Sequence, residues 1–135
     1  LVSEGYIAGK LHIKRIAPLL YKEAQNCLDA DKRDLYISTY AYAVSESNAA
    51  GSLVVTSPTC GSAGVLPSVL YYLKKQLNYK EDKLIDALIV AGLIGTIIKR
   101  NATISGAVGG CQAEIQQQVW LQVHYALLMD FHLII

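Results

Sequence analysis

The sequence predicts an all-α fold, and three observations lead to that class. Apolar residues recur three and four positions apart through most of the chain, which is the spacing of an amphipathic helix. Hydrophobic residues make up 53% of the 135 residues, enough for one buried core. Glycine and proline gather in short stretches between the periodic segments, as in joints between helices. We expect about five helices joined by Gly-rich loops, in a single domain over residues 1–135.

The first predicted helix runs from Ile16 to Leu28. Pro18 is tolerated because it falls in the first turn, where its missing N–H group would have no partner. The spacing assigns an apolar face that consists of Ile16, Leu19, Leu20, Ala24 and Cys27. Cys27 is therefore expected to be a structural residue, in the core or at the surface, and not a reactive thiol.

The second predicted helix is capped by Asp31 and ends near Glu46. Tyr36 and Tyr40 lie four residues apart on it, so their rings are expected to share one face and pack in the core. After Asn48 the stretch AAGSLVVTSPTCGSAGVLP contains three glycines and two prolines, which predicts a loop.

Two further helices follow this loop. The third has Pro67 in its first turn and ends near Asn78, and its apolar positions are Leu66, Val69, Leu70, Leu73 and Leu77. The fourth extends from about Asp82 to Arg100 and is strongly apolar. Asp86 interrupts that apolar pattern and receives no role from the sequence.

A fifth helix is expected to begin at Ser105, within SGAVGGCQAEI. Three glycines in its first turns would each cost about 1 kcal/mol. Glycine also allows backbone N–H groups to approach an anion closely, and TCGSAG at residues 59–64 has the same character. These two Gly-rich joints, each with one cysteine, are therefore candidates for converging on a small anionic ligand.

The charge balance excludes several classes of partner. Twelve basic and eleven acidic side chains leave a net charge of +1, so we expect no nucleic-acid partner and no membrane surface. The three cysteines are far apart and form no CxxC pair, which favours a reducing cytoplasm over a disulfide scaffold. The chain starts at Leu1 without methionine and ends on LMDFHLII, so we expect a fragment that is incomplete at both ends.

Three segments resemble one known family. They are SESNAAG (45–51), VVTSPTCGSAGVLPSVLYY (54–72) and IGTIIKRNATISGAVGGCQAEI (94–115). The resemblance is to the α chain, or catalytic domain, of the iron–sulfur-dependent bacterial L-serine dehydratases. It implies an all-helical catalytic region, a [4Fe-4S] cluster, no pyridoxal phosphate, and conversion of L-serine to pyruvate and ammonia in serine catabolism. The candidate partners are a β chain or N-terminal domain of the same enzyme and a second copy of this chain in a homodimer, and the sequence leaves the oligomeric state open.

The resemblance assigns the site residues. Cys111, in GCQAE, matches the first of three cysteines that ligate the cluster, and the other two ligands are expected outside this chain. The matching positions that would line the L-serine site are Thr56, Pro58, Thr59, Cys60, Gly61, Gly64, Asn101, Ser105 and Gly106. Cys60 stays open between a pocket-lining residue and a ligand or nucleophile. The general base is not identified, because His12, His124 and His132 lie outside the matching segments.

The chemistry explains why iron would be needed. Serine must lose a weakly acidic α-proton and a hydroxide, and without pyridoxal phosphate no electron sink forms on its nitrogen. A cluster held by three thiolates leaves one iron open to bind the β-hydroxyl and the carboxylate as a Lewis acid.

The resemblance breaks down towards the C-terminus. Val108 stands where the family has an acidic residue, and Ala113 stands where it has a glycine. Residues 116–135 form an atypical tail that does not continue as the expected small-residue helix, and we hypothesise a frameshift there. Two other functions stay open: an enzyme with Cys60 or Cys111 as nucleophile beside His124, and a non-catalytic helical scaffold that binds a partner.

Overall fold

The computed structural model of the chain describes residues 4–7, 12–55, 60–61 and 63–101. Four helices account for most of these residues: α1 (Ala17–Asn26), α2 (Asp29–Ala49), α3 (Val65–Gln76) and α4 (Glu81–Asn101). Within the described ranges no β-strand occurs, and a single antiparallel bridge joins Tyr6 to Lys14. The all-α prediction is confirmed. The predicted fifth helix from Ser105 lies outside the described residues.

The four helices belong to two compact units. One unit contains α1, α2 and α3, with α2 packing against both of the others. The other unit contains α4 together with Cys60 and Gly61. The prediction of one domain over residues 1–135, with a separate tail from residue 116, stays a prediction.

Helix α1 lies where the sequence predicts it, but its buried face differs from the expected one. Ala17 and Ala24 are fully buried, whereas Ile16 and Leu19 are 43% and 48% exposed. The cause is Tyr21, whose ring packs edge-to-face on Tyr36 of α2 with centroids 5.9 Å apart. That contact selects the face of Ala17, Tyr21 and Ala24, so two of the predicted apolar positions face solvent.

Helix α2 begins three residues earlier and ends three residues later than predicted. Leu28 occupies its N-cap position in extended geometry, and Asp31 lies inside the first turn, where its N–H group donates to the Leu28 carbonyl at 3.3 Å. The prediction of Asp31 as N-cap is therefore wrong. At the other end, Ala50 and Gly51 close the helix through backbone bonds, with Gly51 at a φ of +78° that favours glycine.

The core of the first unit is aromatic. Tyr36 and Tyr40 stack with centroids 6.1 Å apart, and Tyr71 of α3 meets Tyr40 edge-on at 4.8 Å. These two geometries are the favoured ones for aromatic pairs, worth about 0.5–1.5 kcal/mol each beyond burial. The predicted core role of Tyr36 and Tyr40 is confirmed, and Ala24 of α1 completes the cluster.

Helix α3 carries the predicted apolar positions, with one exception at its end. Leu73 is buried, but Leu77 is the C-cap residue and is 43% exposed. Pro67 lies at the third position of the helix, within the first turn as predicted. Asn78 follows with a φ of +54°, a left-handed conformation that prevents α3 from continuing.

Helix α4 buries a narrow stripe of small residues and one leucine. Leu84, Ala87 and Ala91 are at most 7% exposed, at a spacing of three and four. Glu81 and Asp82 in the first turn and Lys99 and Arg100 in the last complement the helix dipole. Asp86 is exposed to solvent, which explains how an apolar helix tolerates it.

Candidate functional site around the loop before helix α3

The described part of the chain includes four of the ten predicted site residues: Cys60, Gly61, Gly64 and Asn101. The other six lie outside it, so their predicted roles stay predictions: Thr56, Pro58, Thr59, Ser105, Gly106 and Cys111.

Gly64 is the N-cap residue of α3 and packs directly on the backbone of α2. A Cβ atom built on it would lie 2.7 Å from the carbonyl oxygen of Ala41 and 3.3 Å from the Ser45 hydroxyl. Its φ of −82° is open to any residue, so the requirement for glycine here is the close approach of the two helices. Gly64 therefore has a packing role that the sequence did not predict, and its substrate-lining role stays a prediction.

This contact joins two of the three sequence segments that the resemblance rests on. Ser45 opens the segment SESNAAG at the end of α2, and Gly64 belongs to the segment that leads into α3. Ser68, one turn further along α3, is buried, and its hydroxyl donates to the Val65 carbonyl at 2.7 Å. The start of α3 is thus held against α2 by backbone contact.

Cys60 and Gly61 are both exposed, and Cys60 is a free thiol. An exposed thiol is accessible to a reagent or ligand. Cys27, at the end of α1, is half-buried and therefore less accessible than Cys60. The half-buried position of Cys27 is compatible with the structural role, in the core or at the surface, that the sequence predicts for it.

Asn101 is the last residue of α4 and is exposed. Its side-chain amide donates to the carbonyl oxygen of Ile97 at 2.9 Å and so satisfies one of the free carbonyls at the helix end. Its predicted role in lining the L-serine site stays a prediction.

Glu46 is the residue that sequence reasoning missed. It lies in SESNAAG on α2, is 5% exposed, and points at the start of α1. One carboxylate oxygen accepts the N–H groups of Ile16 and Ala17 at 2.5 and 3.1 Å, and the other accepts from Arg15 Nε at 3.2 Å. Because Ile16 offers no side-chain cap, this carboxylate from another helix supplies the cap of α1.

The arrangement leaves no backbone donor of the first turn of α1 unsatisfied. Glu46 takes the first two N–H groups, Pro18 has none, and Leu19 donates to the Ile16 carbonyl at 2.9 Å. Glu46 follows Thr39 and Ala43 at helical spacing, and the structure buries all three side chains. A carboxylate at such a position needs partners.

Metal-ligating side chains do not cluster in the part of the chain that the structure describes. Over residues 4–7, 12–55, 60–61 and 63–101, no three His, Cys, Asp or Glu side chains are grouped as a metal site would require. Across the same ranges, no helix combines the length and the hydropathy that a bilayer crossing demands.

The comparisons with known proteins agree on one family. The sequence model described as "Serine dehydratase alpha chain" matches residues 1–116. An L-serine dehydratase of Helicobacter pylori is 42% identical over 119 residues, which cover 84% of this chain and 26% of the relative. L-serine dehydratase TdcG of Escherichia coli is 42% identical over 118 residues, covering 84% and 26%. One from Streptomyces coelicolor is 41% identical over 119 residues, covering 85% and 26%.

The chain thus spans about a quarter of the length of these curated relatives. No solved structure matches it significantly. The family match takes in all three of the segments named above, from SESNAAG to GCQAE, and ends one residue beyond Ile115. With more than three quarters of its residues matched, the chain belongs to the serine dehydratase α-chain family.

Proposed function

We propose that this chain forms part of an L-serine dehydratase, a lyase that converts L-serine to pyruvate and ammonia. The observation that carries the proposal is the family match over residues 1–116, which includes Cys111 and the Gly-rich loop before α3. The names of the curated relatives, each an L-serine dehydratase, support the same activity.

The contact between Gly64 and Ser45 supports the assignment of the substrate site to the loop before α3. It holds Gly64, the last residue of that loop, against Ala41 and Ser45 of α2, as expected if Ser45 and Gly64 both lie near one site. In this proposal the loop from Thr56 to Gly64 binds L-serine, and its backbone N–H groups accommodate the carboxylate where side-chain bulk is lacking. Asn101 would add an amide from the end of α4.

Cys111 would be one thiolate ligand of a [4Fe-4S] cluster, with the two further ligands supplied from outside this chain. When bound, the cluster would supply a Lewis acid for departure of the serine hydroxyl. The described residues carry no alternative metal site, so the proposal depends on Cys111 and on those external thiolates. The reaction would take place in the cytoplasm, where thiolates stay reduced.

The test compares this 135-residue chain with a version whose reading frame is corrected after Ile115 and extended to the length of its relatives. Both are reconstituted anaerobically with iron and sulfide, and cluster absorbance and pyruvate formation from L-serine are measured. We expect the extended version to bind a cluster and release pyruvate. We expect the 135-residue chain to do neither, because it has one of the three thiolates.

Matched variants separate the role of Cys111 from a general effect of losing a thiol. In the extended version, Cys111→Ser should abolish both cluster absorbance and pyruvate formation, whereas Cys27→Ser at the end of α1 should retain both. An extended version that binds a cluster but leaves L-serine unchanged would refute the dehydratase assignment. One that forms pyruvate without iron would refute the cluster, and one that does neither would favour a non-catalytic scaffold.

A further inference from the structure

One side of α4 is apolar and, in the part of the chain that the structure describes, exposed. Five of its large side chains are at least half exposed and follow helical spacing: Ile85, Leu88, Ile89, Leu93 and Ile97, at 53, 50, 58, 62 and 58%. Asp86 lies at the edge of this side, and the remaining charges of α4 are near its two ends. A contiguous apolar surface of this kind is uncommon on a protein that works alone.

The centre of this side is shaped for close contact with another helix. A Cβ atom built on Gly92 would have no heavy atom within 4 Å, so the backbone of α4 is open there. Thr96, one turn further along, already donates its hydroxyl to the Gly92 carbonyl at 2.8 Å. Its polar group therefore stays satisfied when water is removed, and burial of this side carries no hydrogen-bond penalty at Thr96.

We propose that this outer face of α4, defined as Ile85, Leu88, Ile89, Gly92, Leu93, Thr96 and Ile97, docks an apolar helix from the part of the serine dehydratase polypeptide that lies outside this chain. The length of the relatives supports that occupant, because the match leaves about three quarters of each relative unaccounted for. The inference rests on the proposed function only for the identity of this partner.

The chemistry of the face determines what the partner helix presents. Between Leu88 and Ile97 the face offers neither a charge nor an unsatisfied hydrogen-bonding side chain, so the partner must be apolar there too. At Gly92 a side chain from the partner would fill the space that the missing Cβ atom leaves open, as ridges fill grooves between packed helices.

The test uses the full 135-residue chain, tagged, and co-expressed with a single polypeptide from the Helicobacter pylori relative. In that polypeptide a Gly/Ser linker replaces the 119 matched residues. Capture on the tag and light scattering after size exclusion measure the complex. We expect a 1:1 complex with the wild-type chain. Leu88→Glu and Leu93→Glu should each reduce the captured partner at least tenfold, since each buries a carboxylate in an apolar contact.

Leu53→Glu is the matched control, because Leu53 is equally apolar, fully exposed, and lies in the loop after α2. It should leave capture unchanged. Circular dichroism checks that the glutamate variants keep their helix content, which is expected at exposed positions because glutamate and leucine have similar helix propensity. Both α4 positions are tested separately so that one misfolded variant does not decide the result.

Three outcomes would overturn the inference: no complex with the wild-type chain, equal loss with Leu53→Glu, or no loss with either α4 variant. A dimer of the 135-residue chain alone that Leu88→Glu dissociates would also overturn it, in favour of a second copy as the occupant. None of these measurements needs iron or serine. A complex that depends on Leu88 but forms no pyruvate after reconstitution would therefore refute the proposed function and leave the docking face standing.

Discussion

Glu46 of α2 and Arg15, just before α1, form an ion pair between two residues that lie 31 positions apart in the sequence. Arg15 Nε donates to Glu46 Oε2 at 3.2 Å, and the two side chains are 20% and 6% exposed. The same carboxylate caps α1 through the N–H groups of Ile16 and Ala17. One side chain of the segment SESNAAG thus fixes where α1 begins, while its neighbour Ser45 contacts the start of α3.

Removal of this carboxylate should destabilise the protein more than removal of an exposed one. Glu46→Ala leaves two backbone N–H groups without their acceptor and removes the Glu46 carboxylate from the partly buried Arg15 guanidinium, which should lower the free energy of unfolding by about 3 kcal/mol. Urea unfolding followed by circular dichroism measures the loss. Glu46→Gln, which keeps an acceptor oxygen, should lose less. Glu23→Ala, on the exposed side of α1, should change stability by under about 0.5 kcal/mol.

A pair of glycine substitutions tests whether α3 needs its close contact with α2. Gly64→Ala places a methyl group 2.7 Å from the Ala41 carbonyl oxygen, so the helices must separate, at a cost of about 1–3 kcal/mol. Gly92→Ala adds the same methyl group in open space within α4 and should raise helix stability by up to about 1 kcal/mol. Thermal unfolding of both variants measures the difference. Equal effects would contradict a packing role for Gly64.

Tyr40 should make the stability of the fold depend on alkaline pH. Burial raises the pKa of its phenol above the ordinary value of 10.0, and this outweighs the opposing effect of the hydrogen bond from Gln76. Above pH 10 the unfolded chain therefore releases the Tyr40 proton before the folded chain does. The stabilisation from neutral Tyr40 is complete below that pH and is lost as the pH rises through the folded pKa.

The difference in free energy of unfolding between Tyr40→Phe and the wild type should consequently become smaller as the pH rises above 10. Urea unfolding at pH 8, 10 and 11 measures the free energies. Tyr42→Phe is the control, since Tyr42 lies on the same helix and is 46% exposed. A difference between Tyr40→Phe and wild type that stays constant over this pH range would contradict the buried-phenol explanation.

The two described cysteines should react with thiol reagents at different rates. Cys60 is exposed and Cys27 is half-buried, so Cys60 should be alkylated several-fold faster by iodoacetamide at neutral pH. Peptide mass spectrometry over a time course measures both rates. If Cys60 lines the serine site, L-serine should slow its alkylation in the extended, frame-corrected version and leave Cys27 unaffected. Equal protection of both thiols would argue against a site at Cys60.

The predicted helices were found because periodicity and proline placement are local properties of the chain. Pro18 and Pro67 both lie in first turns, and the Tyr36 and Tyr40 pair was recognisable as core from its spacing alone. The face of α1 was assigned incorrectly for a non-local reason. The side of α1 that is buried depends on the packing of Tyr21 against Tyr36. Periodicity alone does not show that this aromatic contact is made while Ile16 and Leu19 stay exposed.

The sequence by itself determined the helical class, the order of the helices and the family, because apolar spacing and long ordered segments need no knowledge of contacts. Only the tertiary structure decided that Glu46 caps α1 and that Gly64 is required by Ala41. Both facts depend on atoms distant along the chain coming within about 3 Å, and that proximity follows from how the helices pack.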